Sequence, residues 1–342
     1  MRFRNYRTLR LAVFILGFLG LVIAFRQAMN ESRGQALPDA PSLAIAGVLI
    51  FTSLILAGLA WTRLFDEGHD RRALALSLYA SQLTKYLPAG GFVQAAGQVS
   101  MSVTAGAGVG QAATFTVLGA FNIVVGSCVL ASGLVLAPAL PAWVRAVSLC
   151  GLLTPALLHR RALAAVLRAV HRLVRRVPNP DVLPSQRRLL VSFAWSTGNA
   201  LAGSAAYAIL LRSPGIDADR VTVAGAFALS WVVGFLVFPL PGGIGVREAV
   251  LVAVIPDASS AALLGAALAQ RILVLASEVV VTLCSQAIVA RGHRARVSAA
   301  ATGAHGANDD IRRETWVPPH RATQGDPAHT AGADSPCGHR PR

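Results

Sequence analysis

Charged side chains sit inside stretches that are otherwise apolar, among them Lys85, Arg247, Glu248, Arg271 and Glu278. A charge at bilayer depth costs ~2.5–3.5 kcal/mol or more unless it is paired or hydrated. Such residues therefore mark either internal ion pairs or a polar path through the membrane. Lys85, the only lysine in the chain, opens the run KYLPAGGFVQ (residues 85–94), and Arg247 and Glu248 close the run FPLPGGIGVRE (residues 238–248). The two runs share one pattern, with Leu87, Pro88, Ala89 and Gly90 corresponding to Leu240, Pro241, Gly242 and Gly243. Proline and paired glycine remove helix hydrogen bonds. Within a membrane such backbone persists only when it is buried in protein or lines a water-filled cavity. Paired interruptions in two halves of a chain point to a midplane binding site. The helix ends they expose offer free N–H groups and partial positive charge, which suit a phosphate.

The candidate site assembled on this basis contains Lys85, Tyr86, Pro88, Gly90, Gly91 and Gln94 from the first run. Pro241, Gly242, Gly243, Gly245, Arg247 and Glu248 come from the second. Arg271 and Glu278 lie seven residues apart and project from one face of a later helix. Simpler roles exist for several of these residues. Arg271–Glu278 or Arg247–Glu278 would serve as a structural ion pair, Lys85 would snorkel to the interface, and Glu248 would cap its own helix. Gln94, Gln98 and Gln111 would act as interhelical hydrogen-bonding groups.

The elements that must position these residues are membrane helices. Of the 342 residues, 54% are hydrophobic and 14% charged, against about 25% charged in a soluble domain. Apolar stretches near 11–25, 42–62, 111–136, 142–158, 189–211, 221–238 and 260–290 suit a hydrocarbon core ~30 Å thick. No small-residue cleavage site follows residues 11–25, so that stretch reads as a retained span and not as a signal peptide. Residues 73–110, apolar but broken at Pro88, read as a re-entrant hairpin. The expected fold is all-α: a polytopic membrane bundle of about seven to eight spans in two pseudo-repeated halves, each with a broken or re-entrant segment.

The net charge of +15 comes from 31 basic residues against 16 acids. It is concentrated beside the spans and not interleaved with aromatics, so it reads as the positive-inside pattern and argues against nucleic acid. Residues 159–188 hold eight arginines and one aspartate, and that loop is expected in the cytoplasm with the N-terminus. The connections at 26–41, 138–141 and 212–220 are balanced or neutral and are expected outside. The same arginine-rich loop suits anionic headgroups as well. The four cysteines form no ligand spacing and the histidines lie outside the apolar spans, so no metal or other cofactor is expected. Residues 293–342 are Gly-, Pro- and Ala-rich without periodicity and read as a disordered polar tail after a membrane domain at 1–292.

KYLPAGGFVQ, PLPGGIGVREAVL (residues 239–251) and LAQRILVLASEVV (residues 268–280) together resemble the flippase-like membrane domain of lysylphosphatidylglycerol synthases. The likeness covers roughly residues 8–292. The late motif is the closer match, and Ala89 stands where the family commonly has glycine. The resemblance implies a multi-pass protein of the bacterial inner membrane that moves or binds an anionic, glycosylated or polyprenyl-linked lipid. The aminoacyl-transferase domain of full-length members has no counterpart here, so no enzymatic activity is expected. The expected partners are membrane lipids, with a lipid- or glycan-modifying enzyme or a second copy of the chain as further partners. The rival reading is a non-transporting membrane scaffold that recruits such an enzyme.

Overall fold

In a computed structural model, residues 38–86, 90–138, 140–174, 182–212, 219–236, 245–255 and 258–315 are described. The first expected span, at 11–25, lies outside them. All regular structure among the described residues is helical: α1 (Ala40–Thr62), α2 (Arg71–Ala80), α3 (Gly90–Thr104), α4 (Val109–Ala131), α5 (Ala142–Leu149), α6 (Arg160–Val174), α7 (Gln186–Arg212), α8 (Arg220–Leu236), α9 (Val246–Val254) and α10 (Ser260–Thr315). Short 3-10 segments follow α2 (Gln82–Tyr86), α4 (Ser132–Leu136) and α5 (Cys150–Leu158). Three helical stretches are long and apolar enough to cross a membrane: Ala40–Thr62, Val109–Leu136 and Ala262–Ile288.

Their outer faces explain why. On α1, Ile45, Val48, Phe51 and Ile55 are exposed, and on α10 so are Ile272, Val280, Leu283 and Ile288. Contiguous exposed apolar surface of this kind suits hydrocarbon and not water. The stretch expected at 142–158 is more unusual. Eight α-helical residues lead into nine in 3-10 geometry around Pro155. At ~1.5 and ~2.0 Å rise per residue they reach about 30 Å, a full hydrocarbon thickness from only 17 residues.

Helix α7 is the central one. Ser53 of α1 donates to Asn199 at 2.6 Å, and Asn122 of α4 donates to Ser192 at 2.9 Å. Gln270 of α10 donates to the Gly203 carbonyl at 2.9 Å, while Tyr207 stacks on Phe227 of α8 at 5.1 Å. Apolar burial cannot drive helix association in lipid, so small residues and interhelical hydrogen bonds take over. Those polar residues also make α7 less apolar than its neighbours.

The apolar core falls into two clusters. One joins the start of α1 to the end of α7, the start of α8, α9 and the start of α10. The other joins Trp61, Leu64 and Phe65, at the end of α1, to Leu163 and Leu167 of α6 and Leu189 of α7. Arg63, Arg71, Arg160 and Arg187 thus share one end of the bundle, and Arg188 pairs there with Asp66. At the other end Asp219 caps α8 by accepting from the Thr222 N–H and hydroxyl, both at 2.8 Å. Those bonds hold its carboxyl below the ordinary carboxylate range. The cap's contribution is therefore complete above that range and is lost only as pH falls through the lowered value.

Within the stretch 73–110, α2 and α3 pack against each other as a helical pair. Ser77 lies against Ser102 (3.2 Å), Ser81 against Gly97, and Gln82 against Gln94, which donates to it at 3.4 Å. The falling–rising order of these pairs makes α2 and α3 antiparallel. The expected disordered tail differs in part. Met1–Ala290 form one compact unit and Arg291–Arg342 a second, and within the second the helix continues to Thr315.

Close packing at α4–α7 gives a direct test. A Cβ on Gly126 would lie 2.9–3.1 Å from Thr197 Oγ1, Cα and N, whereas one on Gly265 meets nothing within 4 Å. Gly126→Ala should lower stability by about 1–3 kcal/mol, and Gly265→Ala should cost nothing, as read by thermal unfolding of both variants in one detergent.

Candidate functional site

The site begins with the last helix. Arg271 and Glu278 bracket the middle of the apolar stretch Ala262–Ile288, two helical turns and about 10 Å apart along the axis. Neither pairs with the other. Glu278, only 1% exposed, forms an ion pair with Lys85 through Oε1 and accepts from the Tyr86 hydroxyl at 2.9 Å through Oε2. Arg271 Nη2 lies 2.7 Å from Glu248 Oε1. The pairings expected within α10, or between Arg247 and Glu278, are replaced by one partner from each interrupted segment. The reason is geometric: two turns separate Arg271 from Glu278, and each finds an opposite charge on an adjacent element before it can reach the other.

The 3-10 segment Gln82–Tyr86 carries Lys85 and Tyr86 at the end of α2, immediately before the first break. Successive residues at its end, they both reach Glu278. A hydrogen bond from Thr282 Oγ1 to the Tyr79 carbonyl (3.0 Å) fixes α2 against α10 one turn below Glu278. Gly58 of α1 makes room for Tyr79, since a Cβ there would lie 1.9 Å from the phenol oxygen. Gln82, not singled out from sequence, lies 3.5 Å from Lys85 Nζ and accepts from Gln94. Lys85 therefore does not snorkel away: its ammonium is held inward by Glu278 and Gln82.

Gly245 opens the second element of the site with φ +84°, a conformation that only glycine adopts without strain. Its N–H donates to Glu248 Oε2 at 2.8 Å, so Glu248 both caps α9 and binds Arg271. Arg247 points the other way. Its side chain lies across Gly234 of α8, where a Cβ would come within 2.6 Å of Cγ and 2.8 Å of Nε. The guanidinium carbon sits 5.6 Å from the Trp231 ring, within cation–π range. Trp231 is in turn stacked on Phe235. Gly234 and Trp231 escaped the sequence reading. A Trp-x-x-Gly spacing on the helix preceding the break was the available signal, but it is indistinguishable from ordinary packing until the partner is known.

Both carboxylates are fully engaged, Glu278 by Lys85 and Tyr86 and Glu248 by Arg271 and Gly245. Three cations face two anions, and all five, with Tyr86, form one electrostatic cluster. The surplus falls on Arg247, which has no carboxylate partner among the described residues and whose buried Nε has no hydrogen-bond acceptor. The N–H bonds of Arg271 are not aimed at Glu248 despite the short approach, so it too keeps donors to spare. Such a cluster suits an incoming anion.

Other candidate residues have lesser structural roles or lie outside the description. Gly90 and Gly91 begin α3, and Gly91 borders open space, so no close approach depends on it. Pro88, Pro241, Gly242 and Gly243 lie outside the described residues. Among the described residues no group of three or more His, Cys, Asp or Glu is arranged to hold a metal ion. No protein-family model and no curated protein matches the chain.

The pairing makes an asymmetric prediction. Glu278→Ala strands the Lys85 ammonium and should cost up to ~3–5 kcal/mol, toward the lower end because Lys85 is 30% exposed. The double change Lys85→Met with Glu278→Met should recover most of that loss in detergent thermal unfolding. Gly234→Ala should displace Arg247, whereas Gly91→Ala should leave stability unchanged. Comparing intrinsic tryptophan fluorescence of the two variants reports whether the Arg247–Trp231 contact has moved.

Proposed function

We propose that this protein binds a lipid carrying an anionic headgroup at the cluster centred on Arg247 and moves it across the bilayer. The single observation that carries the reading is the unbalanced site at mid-helix depth, where the oxygens of Glu248 and Glu278 are all engaged and Arg247 has no carboxylate partner among the described residues. A buried surplus cation is costly unless a ligand or water supplies the missing charge. A phosphate or phosphodiester supplies it with several acceptor oxygens, matching the spare donors of Arg247 and Arg271. The apolar outer faces of α1 and α10 leave the acyl chains in lipid while the headgroup enters the protein.

The mechanism follows from the same geometry. The headgroup phosphate exchanges its water for Arg247, and Trp231 holds the guanidinium plane in place. Glu248 keeps Arg271 oriented, and Lys85–Glu278 closes the other side of the cluster. Entry of the anion neutralises the site, which lowers the barrier to carrying charge through the apolar layer. This reading fits the flippase-like membrane domain of lysylphosphatidylglycerol synthases, with seven to eight crossings in two pseudo-repeated halves and no transferase chemistry of its own. The setting would be the bacterial inner membrane with the arginine-rich end in the cytoplasm.

Arg247 provides the test because its removal strands no acid. Arg247→Gln should insert and unfold like the parent protein. In vesicles bearing a fluorescent anionic phospholipid, it should slow transbilayer movement at least tenfold, measured by quenching of the outer leaflet. Arg247→Lys, which keeps charge but not the planar fork, should retain part of the rate. Unchanged movement in Arg247→Gln would reduce the cluster to structural ion pairing and favour a scaffold.

A further inference from the structure

Helix α6 raises a separate question. Its sequence, RRALAAVLRAVHRLV, has no acid, and its apolar residues recur at helical spacing. A basic amphipathic helix ordinarily lies on a membrane with its apolar face in the lipid. Here the described part of that face is already occupied. Leu163 and Leu167, 2% and 3% exposed, are packed into the cluster with Trp61 and Phe65. What α6 presents outward is Arg160, Arg161 and Arg168, all exposed.

The depth of those arginines is fixed from both sides. Leu153 and Leu157, 71% and 43% exposed, form a lipid-type surface that ends three residues before Arg160. On the following helix, exposed Arg187 is three residues from Leu190, which is 48% exposed. The two transitions are tied together by Gln186, whose Oε1 accepts from the Arg160 N–H at 2.9 Å and whose Nε2 donates to the Leu158 carbonyl at 3.3 Å. Basic surface therefore replaces apolar surface at one level on two adjacent elements, which is where a bilayer changes from acyl chain to headgroup.

We infer that α6 is a preformed docking surface for anionic phospholipids of the adjacent leaflet, held at headgroup level by the protein core and not by its own insertion. The charge complementarity commits the surface to acidic headgroups: three outward arginines with no acid on the helix. Because Leu163 and Leu167 are buried in protein and not in lipid, binding depends on charge and salt, not on bilayer defects or curvature. The surface is distinct from the Arg247 cluster and does not depend on how that cluster works. It would hold a shell of anionic lipid beside the bundle.

The full chain, reconstituted in phosphatidylcholine vesicles with a minor fraction of phosphatidylglycerol, tests this with spin-labelled lipids that report the motionally restricted shell. The parent protein should select labelled phosphatidylglycerol over phosphatidylcholine, and raised salt should weaken the preference. R160Q/R161Q/R168Q should lose it by up to about fivefold per arginine, equivalent to ~1 kcal/mol each. R160K/R161K/R168K should keep it, because charge and not shape is recognised. Arg247→Gln should keep it too, so failure of the translocation reading leaves this one standing. A parent protein without lipid preference, a salt-independent preference, or a glutamine variant that retains it would overturn the inference. If the glutamine variant fails to insert, the salt response of the parent and the lysine variant decides alone.

Discussion

A carboxylate in the middle of an apolar helix governs the rest of this structure. Glu278 is almost wholly buried, and lipid offers it neither water nor counter-charge. It must be met by donors from another part of the chain, and a continuous membrane helix has none to give. The 3-10 segment ending at Lys85 and Tyr86 is the solution on one side, since it halts α2 where two consecutive donors reach the carboxylate. The break before α9 is the solution on the other. There the Gly245 N–H holds Glu248 in the first turn, and Glu248 in turn pairs with Arg271. Each break thus contributes one paired charge, and the last helix carries the complement of both.

This arrangement makes rigidity and charge imbalance compatible. Glu278 and Glu248 are each held by two groups, so the frame of the site is set before any ligand arrives. Arg247 is held differently, by packing against Gly234 and by the Trp231 face, neither of which neutralises it. A site built this way keeps its shape with its surplus charge unspent. The same division between frame and function recurs at the end of the bundle. There Leu163 and Leu167 secure α6 in the core and leave Arg160, Arg161 and Arg168 exposed.

The helices tolerate these interruptions because α7 ties them together by polar contacts. Ser192, Asn199 and Gly203 each bond to a different neighbour, α4, α1 and α10. In a medium where apolar surfaces gain nothing by meeting, such bonds and the close approach at Gly126 give the bundle its register.

Much of this was legible in the sequence. Apolar length marked spans at 42–62, 111–136 and 260–290, close to the helical stretches 40–62, 109–136 and 262–288, because hydrocarbon thickness sets a minimum that composition alone can meet. Charges inside apolar runs marked Lys85, Arg247, Glu248, Arg271 and Glu278, because lipid makes each of them expensive. The partners were not legible. Spacing along one helix favoured Arg271 with Glu278, yet distance through space joined Arg271 to Glu248 and Glu278 to Lys85, nearly two hundred residues away in chain order. Nor did the sequence reveal that, among the described residues of the cluster, Arg247 is the cation without a carboxylate partner, or that Gly234 and Trp231 receive it. Helical continuation through 293–315 was also missed, since a pattern search for apolar periodicity does not register propensity alone. Local cost is written in residue type, whereas pairing depends on which surfaces tertiary packing brings within a few ångströms, and no single segment carries that information.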